Sequence, residues 1–573
     1  MGSAPKGMKR HLTNYGDAEF SLYLRRAFIK AMGYSDEALD RTIIGIVNTY
    51  SDYNPCHGTV PELIEAAKRG IMLAGGLPME FPTISLHESV AYPTSMFLRN
   101  LMAMDTEEMI KAQPMDGVVL IGGCDKTVPA QLMAAASADI PAISVVTGPM
   151  LSGSHRGERI GACTDCRRFW AEYRSGAIDR QAIDEITDDL VPSYGTCGVM
   201  GTASTMACIT EALGMMLPGG AAIPAVLADR MRHAEKAGAR AVALAEEGLT
   251  PSKIITTHAL ANALRMLLAV GGSTNAIIHL AAIAGRLGID IDYQAFDEMG
   301  RETPVLLDLK PSGSYYMDDL HRAGGLTPIF KELKPLLHLD CLTVTGRTLG
   351  EEIDNLPESF SQDVVRTMNQ PVHRGGSIAV LGGNLAGTGA IIKQSAGTPD
   401  LMVHSGKAVV FVSIEDMAER IDDPDLDVGE TDVLVMKNCG PCGAPGMPEA
   451  GYIPIPKKMA QRGVKDMVRI SDGRMSGTAF GTIVLHATPE SAVGGPLALV
   501  ENGDTISLDV PNRKLTLHVD ESELERRRNL LKAPVNPEEL RGYLRLYHER
   551  VNQAEHGCDF DFMRAKRNLD TTP

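Results

Sequence analysis

Continuous apolar segments separated by glycine turns mark the first part of the chain. Residues 117–121 form one such segment, and a polar glycine turn over 122–127 follows it. A helical stretch opens at Pro129, and a second apolar segment covers 143–146. This order of strand, turn, helix and strand predicts a βαβ unit. Uninterrupted apolar strands indicate a parallel sheet covered on both faces, and such sheets bind ligands beyond the carboxyl ends of their strands.

Helical periodicity follows in the middle of the chain. Between residues 202 and 286 apolar positions recur at three- and four-residue spacing, for example in 234–247 and 252–270. We expect these segments to form helices that pack around the sheet. Two further helical segments are expected near the end of the chain, over 520–528 and 537–566.

The pattern changes again after about residue 370, where glycine turns separate short β-branched runs. These runs predict strands, and they cover residues 377–380, 408–412, 432–435 and 505–508. We therefore expect an α/β protein with two domains. A large N-terminal α/β domain with a parallel sheet would occupy residues 1–370, and a C-terminal β-rich, barrel-like domain would occupy residues 371–573.

Composition indicates a large globular chain with two or more domains and argues against two classes of partner. The 573 residues, 44% of them hydrophobic and 22% charged, exceed what one hydrophobic core usually supports. A net charge of −17 without a basic run disfavours nucleic acid and anionic membranes as partners. No apolar stretch reaches membrane-spanning length, and residues 1–6 lack the apolar core of a secretory signal. We expect a cytoplasmic protein.

Three of the ten cysteines lie in turns that contain glycine. They occur in Asn54-Pro55-Cys56-His57-Gly58, Gly122-Gly123-Cys124-Asp125-Lys126 and Gly195-Thr196-Cys197-Gly198. Glycine lets a backbone approach a bulky cofactor closely, and it leaves amide donors free to bind the cofactor. Spacing does not show that the three cysteines converge. A shared metal cluster and three unrelated turn cysteines both remain open on this ground.

Two Cys-x-x-Cys pairs offer a different interpretation. Cys163 and Cys166 form one pair, and Cys439 and Cys442 form the other. Such pairs hold structural zinc or act as redox dithiols. More than two hundred residues separate these two pairs, so free thiols near a site or in the core are the simpler interpretation.

Carboxylates and one serine loop complete the candidate chemistry. Asp125 and Lys126 follow Cys124 directly, and Glu88 and Glu449 stand among small, polar and proline residues. Grouped carboxylates are how proteins hold Mg²⁺, although each alone would be an ordinary surface residue. Ser476 lies in the glycine-spaced loop 471–481, which could present its hydroxyl to a ligand or simply cap a helix.

Five motifs together resemble the dihydroxy-acid and sugar-acid dehydratase family, and the resemblance runs almost from end to end. The motifs are Asn54-Pro55-Cys56, Gly122-Gly123-Cys124-Asp125-Lys126-Thr127-Val128-Pro129, Gly271-Gly272-Ser273-Thr274-Asn275-Ala276, Pro445-Gly446-Met447-Pro448-Glu449 and Ser471-Asp472-Gly473-Arg474-Met475-Ser476-Gly477. Their order and their presence in both expected domains make the match specific.

The resemblance implies two cofactors. Cys56, Cys124 and Cys197 would bind an iron–sulfur cluster that keeps one iron open. Three cysteines serve a [2Fe–2S] or a [4Fe–4S] core equally well, and similarity to the sugar-acid branch favours [2Fe–2S]. Mg²⁺ would be held by Glu88, Asp125 and Glu449 together with Lys126 carbamylated on its amine, because a carbamate is an oxygen anion suited to a hard metal.

The resemblance also implies a reaction. Ser476 would act as the base that removes the C2 proton, with Mg²⁺ stabilising the enolate and cluster iron accepting the C3 hydroxyl. The product would be a 2-keto-3-deoxy acid, and a homodimer or homotetramer would be expected.

The segment 80–86 followed by Glu88 looks like the aldonate branch, which contains the L-arabinonate and D-xylonate dehydratases. The small-molecule substrate would then be a sugar acid. A branched-chain dihydroxy acid is the alternative substrate, and a non-catalytic zinc or redox protein is the alternative of another class.

Overall fold

A four-stranded parallel sheet forms the centre of the N-terminal part of the protein. The computed structural model describes residues 5–531 and 537–566, so residues 1–4, used for the localisation prediction, lie outside the described part. The sheet has the order β2-β1-β3-β4. Its strands are β1 Ile43–Asn48, β2 Leu77–Pro82, β3 Gly117–Gly122 and β4 Ala142–Val146. Every residue of β3 and β4 is buried, as their uninterrupted apolar sequences predict.

Helices enclose this sheet and build most of the N-terminal core. In chain order they are α1 Ala18–Lys30, α2 Asp36–Leu39, α3 Val60–Leu73, α4 Ser95–Ala112, α5 Thr127–Ala138, α6 Thr164–Ser175, α7 Arg180–Leu190, α8 Thr202–Ala212, α9 Ala228–Glu247, α10 Pro251–Ile254, α11 Thr257–Ala269, α12 Asn275–Arg286, α13 Tyr293–Glu302, α14 Met317–Arg322, α15 Thr327–Leu333 and α16 Leu349–Asp354. A short hairpin of β5 Gly153–His155 and β6 Glu158–Ile160 precedes α6.

Two glycines let α3 and α9 cross in close contact. A Cβ on Gly70 would lie 1.9 Å from the Glu235 carbonyl oxygen, and one on Gly238 would lie 2.2 Å from the Ala67 carbonyl oxygen. Any larger side chain at either position would push the helices apart. The pair packs over the sheet and fixes the loops at the carboxyl ends of its strands.

Eight strands close into a barrel in the C-terminal part. Their order around the barrel is β10-β11-β12-β8-β7-β14-β13-β9. The strands are β7 Ala379–Gly383, β8 Ala386–Ile392, β9 Val403–Phe411, β10 Val433–Met436, β11 Arg469–Ser471, β12 Ile483–Thr488, β13 Thr505–Asp509 and β14 Lys514–His518. The expected α/β architecture with a barrel-like second part is confirmed.

Alternating burial along the barrel strands explains why short β-branched runs build it. Ile506 and Leu508 of β13 and Leu515 and Leu517 of β14 point into one apolar core, while the residues between them are more exposed. The α-helices that follow β7 in the described chain are α17 Ile414–Arg420, α18 Lys457–Gln461, α19 Glu521–Arg528 and α20 Gly542–Arg550.

Several predicted boundaries differ from the structure. The segment 252–270 is divided into α10 and α11, because the Thr256 side chain accepts a hydrogen bond from the Ala259 amide and starts a new helix. Helix α5 begins at Thr127, so Pro129 lies inside the first turn rather than at its start. Within 537–566 only α20 is an α-helix.

The last described segment returns to the N-terminal helices. Phe97 of α4 contacts the rings of Tyr543 and Tyr547, and Arg286 of α12 forms a buried ion pair with Asp559 at 2.6 Å. The described end of the chain therefore packs against the part that carries the sheet. The predicted domain boundary at residue 370 stays a prediction. No described helix combines the length and the apolar character needed to cross a membrane.

Candidate active site

The thiols of Cys56 and Cys124 meet beyond the carboxyl ends of β1 and β3. Cys56 lies in the 3₁₀ turn Pro55–His57, and Cys124 lies in the turn between β3 and α5. Their sulfur atoms and a ring nitrogen of His87 all lie within 4.8 Å of one another. Cys56 is 5% and Cys124 2% exposed. The sheet therefore brings together two predicted cluster ligands that are 68 positions apart in the sequence numbering.

Cys197 lies near this pair at the start of α8. The Ser204 hydroxyl donates to the Cys197 carbonyl oxygen at 3.2 Å, which fixes the turn. The hydrogen bond with Cys124 and burial raise the pKa of the Cys56 thiol, and the charge of Cys197 raises it further. The third predicted ligand is thus close enough to act electrostatically on the first, although it lies outside the 4.8 Å group.

His57 fixes the turn that carries Cys124. Its ring is fully buried, and Nε2 accepts hydrogen bonds from the amides of Gly123, at 3.0 Å, and Cys124, at 3.2 Å. Nδ1 therefore carries the proton and donates to the Thr49 carbonyl oxygen at 2.8 Å. Burial lowers the pKa of His57 to about 4, which keeps the ring neutral and able to accept.

Five charged side chains form a row next to the thiols. Lys126 Nζ contacts the Asp125 carboxylate and lies 3.6 Å from Glu88 Oε2. Arg474 lies 3.4 Å from Glu88 Oε1 and donates to Glu449 Oε1 at 2.7 Å. The row thus runs Asp125, Lys126, Glu88, Arg474, Glu449, which brings the four predicted metal-binding residues together.

The two cations of this row are buried deeper than its carboxylates. The side chains of Lys126 and Arg474 are 0% and 1% exposed, whereas those of Glu88, Asp125 and Glu449 are 28%, 16% and 19% exposed. The carboxylate oxygens therefore remain open toward a ligand.

Electrostatics keep Glu88 ionised. Burial opposes its charge, but Lys126 and Arg474 hold the pKa of this carboxyl well below its usual range. The hydroxyls of Thr94 and Ser95 also donate to it. Burial likewise opposes the charge of Arg474, but Glu88 and Glu449 outweigh it and raise the pKa of the guanidinium.

The donor set suits two metals of different character. The cysteine thiols are soft ligands of the kind that iron–sulfur clusters use. The three carboxylates are hard oxygen ligands suited to Mg²⁺. Lys126, a cation when protonated, lies where these carboxylates converge, so a divalent ion fits there only if that positive charge is removed.

The loop that carries Ser476 passes beside both groups of ligands. The Ser476 Oγ is 2.9 Å from Thr478 Oγ1. A Cβ on Gly201 would lie 2.8 Å from Thr478 Cγ2 and 3.8 Å from the Cys197 Cβ, so the serine loop passes next to the Cys197 turn. Arg474, two residues earlier in the same loop, reaches the carboxylates.

Matches to known proteins cover both parts of the chain. Residues 41–352 match the description "Dihydroxy-acid/6-phosphogluconate dehydratase N-terminal", and residues 363–558 match the corresponding C-terminal description. The chain belongs to the dihydroxy-acid/6-phosphogluconate dehydratase family. The resemblance found in the five motifs is confirmed, and the protein is accordingly a dehydratase, a hydro-lyase.

Relatives within this family carry different substrate names. L-arabinonate dehydratase of Rhizobium leguminosarum is 47% identical over 557 residues, which cover 96% of each chain. 6-Deoxy-6-sulfo-D-gluconate dehydratase of Pseudomonas putida is 44% identical over 541 residues, 94% of this chain and 93% of the relative. Dihydroxy-acid dehydratase of Acetivibrio thermocellus is 41% identical over 541 residues, 93% of this chain and 96% of the relative.

The geometry of this dehydratase gives no support to a shared zinc site. In the described ranges, one group of three or more His, Cys, Asp or Glu residues has converging ligand atoms, and its members are Cys56, His87 and Cys124. The two Cys-x-x-Cys pairs do not join it. Cys439 and Cys442 instead lie at a turn whose amides donate to Asp472 and Glu490.

Three residues of the dehydratase site were not assigned a role from the sequence. His57 and His87 adjoin Cys56 and Glu88, and Arg474 lies in the serine motif. A histidine directly after a cysteine in a turn, and an arginine between glycine and methionine in a buried loop, were the available signals. Neither signal identifies its partner, because the contacts join residues far apart in sequence.

Proposed function

We propose that this dehydratase converts a sugar acid, an aldonate, into the corresponding 2-keto-3-deoxy acid. The observation that carries the proposal is the row Asp125, Lys126, Glu88, Arg474 and Glu449 beside the cysteine thiols and the Ser476 loop. The names of two relatives, which specify L-arabinonate and a sulfogluconate, support sugar acids as the substrate class.

The cofactor assignment is part of the proposal. When bound, an iron–sulfur cluster on Cys56, Cys124 and Cys197 and Mg²⁺ on Glu88, Asp125, Glu449 and carbamylated Lys126 would supply Lewis acidity for loss of the hydroxyl and for enolate stabilisation. We favour a [2Fe–2S] cluster. Carbamylation would replace the positive charge of Lys126 with a negative one, so that Lys126 would attract a divalent ion to the row of carboxylates instead of repelling it.

The proton transfer falls to Ser476. Its deprotonated oxygen takes the C2 proton of the substrate, and the electron pair forms the C2–C3 double bond as the C3–O bond breaks. The hydroxide released takes this proton from Ser476 and leaves as water, which restores the serine anion, and the enol tautomerises to the 2-keto acid. Arg474 lies two residues before Ser476 in the same loop, and its buried positive charge would favour an anionic serine over a neutral one.

The residues around the thiols and the carboxylates hold these groups in place. His57 keeps the Cys124 amide occupied, and the hydroxyls of Thr94 and Ser95 hold the Glu88 carboxylate. These contacts fix the ligands before a substrate arrives, which reduces the reorganisation that binding requires.

Turnover on a substrate panel tests the proposal. The purified protein is incubated without oxygen with pentonates, hexonates and 2,3-dihydroxyisovalerate, and 2-keto acid is measured with Mg²⁺ and again with EDTA. We expect product from sugar acids that disappears with EDTA. Product from dihydroxyisovalerate alone would move the substrate to the branched-chain class, which the 41% identity to dihydroxy-acid dehydratase makes the second candidate.

A serine variant tests the base. Ser476→Ala is expected to lose turnover while it keeps its iron and Mg²⁺ content, since Ser476 is not among the proposed ligands. Ser507→Ala, on barrel strand β13, is the matched control and should retain turnover. Full turnover by Ser476→Ala with intact metals would remove this residue from the mechanism.

We further propose a homodimer or homotetramer in the cytoplasm that binds neither nucleic acid nor membrane. Light scattering after size exclusion would give the assembly, and a mass of one chain would contradict it.

A further inference from the structure

Cys163 and Cys166 lie against a predicted cluster ligand. Cys163 Sγ is 3.1 Å from Cys197 Sγ. Cys166, in the same Cys-x-x-Cys pair, donates from its thiol to the Cys163 carbonyl oxygen at 2.6 Å. The Cys163 thiol therefore contacts Cys197, and its pair partner Cys166 is held within the same turn.

This contact is fixed by the surrounding backbone. The Gly198 amide donates to the Ala162 carbonyl oxygen at 3.0 Å, which ties the Cys197 turn to the segment before Cys163. The Thr164 hydroxyl donates to the Thr478 carbonyl oxygen at 3.1 Å. The first turn of α6 is thus held at both the Cys197 turn and the serine loop.

A buried carboxylate anchors the same turn from behind. Asp165 accepts from the Gly161 amide at 2.8 Å and from Lys310 at 3.0 Å. The Tyr316 hydroxyl also donates to it, at 2.9 Å. Because the backbone is held on several sides, the close approach of Cys163 to Cys197 is a property of the fold.

The three thiols can exchange disulfide bonds with small movements. A disulfide has an S–S length of about 2.05 Å, so the Cys163 and Cys197 sulfur atoms need to approach by about 1 Å. All three side chains are half-buried, within reach of a small oxidant, whereas Cys56, Cys124, Cys208, Cys341, Cys439 and Cys558 are buried.

We propose that Cys163 and Cys166 form a thiol relay that protects Cys197 from irreversible oxidation when the cluster is absent. The inference rests on the proposed function, because it takes Cys197 as a cluster ligand. It assigns a modification site to the Cys-x-x-Cys pair 163–166.

Hydrogen peroxide is the oxidant in the first step. The Cys163 or Cys197 thiolate attacks one peroxide oxygen, forming a sulfenic acid and releasing water after protonation. The other thiol attacks that sulfur, a second water leaves, and the Cys163–Cys197 disulfide forms. Two thiols and one peroxide thus give one disulfide and two waters.

The second step needs no further oxidant. The Cys166 thiolate attacks the Cys163 sulfur, and the electron pair of the broken S–S bond leaves on Cys197. The disulfide now joins Cys163 and Cys166, and Cys197 is again a free thiol. A dithiol reductant then restores the pair.

Disulfide mapping of the full chain after removal of iron tests the relay directly. The iron-free protein is treated with stoichiometric hydrogen peroxide, alkylated and digested, and its cysteine peptides are analysed by mass spectrometry. We expect a linked pair 163–166, with a loss of about 2 Da relative to the two thiols. Cys166→Ser should instead accumulate the 163–197 disulfide, because the second step is blocked.

Cys163→Ser tests protection. After peroxide, its Cys197 peptide should gain about 32 Da as a sulfinic acid, which dithiothreitol does not reverse. Reconstitution with iron and sulfide should then fail in this variant, measured by bound iron and by cluster absorbance, while the natural chain recovers most of its iron. Cys442→Ser, in the other pair, is the matched control and should behave like the natural chain.

Two results would overturn the relay. One is equal sulfinic acid formation at Cys197 in Cys163→Ser and in the natural chain. The other is failure of untreated Cys163→Ser to bind iron, because Cys163 would then be a cluster ligand. Disulfides that form in a chain unable to take up any iron would support the relay chemistry while contradicting the cofactor assignment, so the two failures are distinguishable.

Discussion

Lys393 is a buried cation whose replacement should stabilise the protein. It follows β8, is 1% exposed, and its Nζ has no hydrogen-bond partner within the described ranges. Burial lowers the pKa of Lys393 to about 7 from an ordinary value of 10.5. The folded chain must therefore give up a proton that the unfolded chain keeps, and this requirement lowers the free energy of unfolding.

The size of the effect follows from that difference. With one pKa unit equal to about 1.4 kcal/mol, the cost is about 4 kcal/mol at pH 7 and about 2 kcal/mol at pH 9. The unfolded state binds more protons between the two pKa values, so the stability of the natural chain rises with pH across this window. Lys393→Met has no such proton, so its advantage should shrink as the pH rises.

Urea unfolding followed by circular dichroism at pH 7 and pH 9 measures the effect. Lys393→Met should have a higher free energy of unfolding than the natural chain at pH 7. The difference should be smaller at pH 9. The control is Lys407→Met, an exposed lysine on β9, which should show no pH-dependent difference. Equal destabilisation of Lys393→Met at both pH values would refute the reasoning and show that the ammonium has a favourable partner.

Three further predictions concern the site and its surroundings. Arg474→Gln leaves Glu88 and Glu449 without their buried cation. In EDTA, the free energy of unfolding measured with urea should fall by about 3–5 kcal/mol. A loss below about 1 kcal/mol would contradict the ion pairs. His57→Ala removes the acceptor of the Gly123 and Cys124 amides and should cost about 1–3 kcal/mol and reduce the iron content of the purified protein; normal iron would speak against its positioning role. Burial lowers the pKa of His57 and of His233 to about 4, below the ordinary 6.5. The unfolded state therefore binds more protons between pH 6.5 and 4, and stability present above pH 6.5 should fall by about 2 kcal/mol per histidine at pH 5; an unchanged or higher unfolding midpoint at pH 5 than at pH 7 would argue against it.

Local patterns predicted the elements whose causes are local. The β3, turn, α5 and β4 sequence was recognisable because uninterrupted apolar runs and a glycine turn leave few alternatives. The strand β13 was recognisable as the short β-branched run 505–508, and its Ile506 and Leu508 are buried in the barrel core. The break between α10 and α11 was missed because the apolar periodicity continues through residues 252–270 without interruption. The break arises from the Thr256 side chain, which caps the start of α11.

The site was predictable where its residues are adjacent and not where they come together by folding. Cys124, Asp125 and Lys126 share one turn, so their proximity follows from the chain. The contact of Arg474 with Glu88 spans 386 positions, and that of Cys163 with Cys197 spans 34. The first contact depends on how the barrel packs against the sheet, and the second on how the start of α6 packs against the Cys197 turn. Periodicity and spacing specify neither.

The row from Asp125 to Glu449 also sets an order for biosynthesis. The ribosome delivers Glu88, Asp125 and Lys126 hundreds of residues before the rest of the row. Glu449 adds the last carboxylate, and Arg474 pairs with Glu88 and Glu449. During translation the early half therefore holds an unfinished set of ligands that cannot yet enclose an ion. Loading of the oxygen-ligand site must wait until Glu449 has emerged and the barrel has packed in place. A chain that stalls before residue 449 therefore leaves the ribosome without its last oxygen ligand, whatever metals surround it.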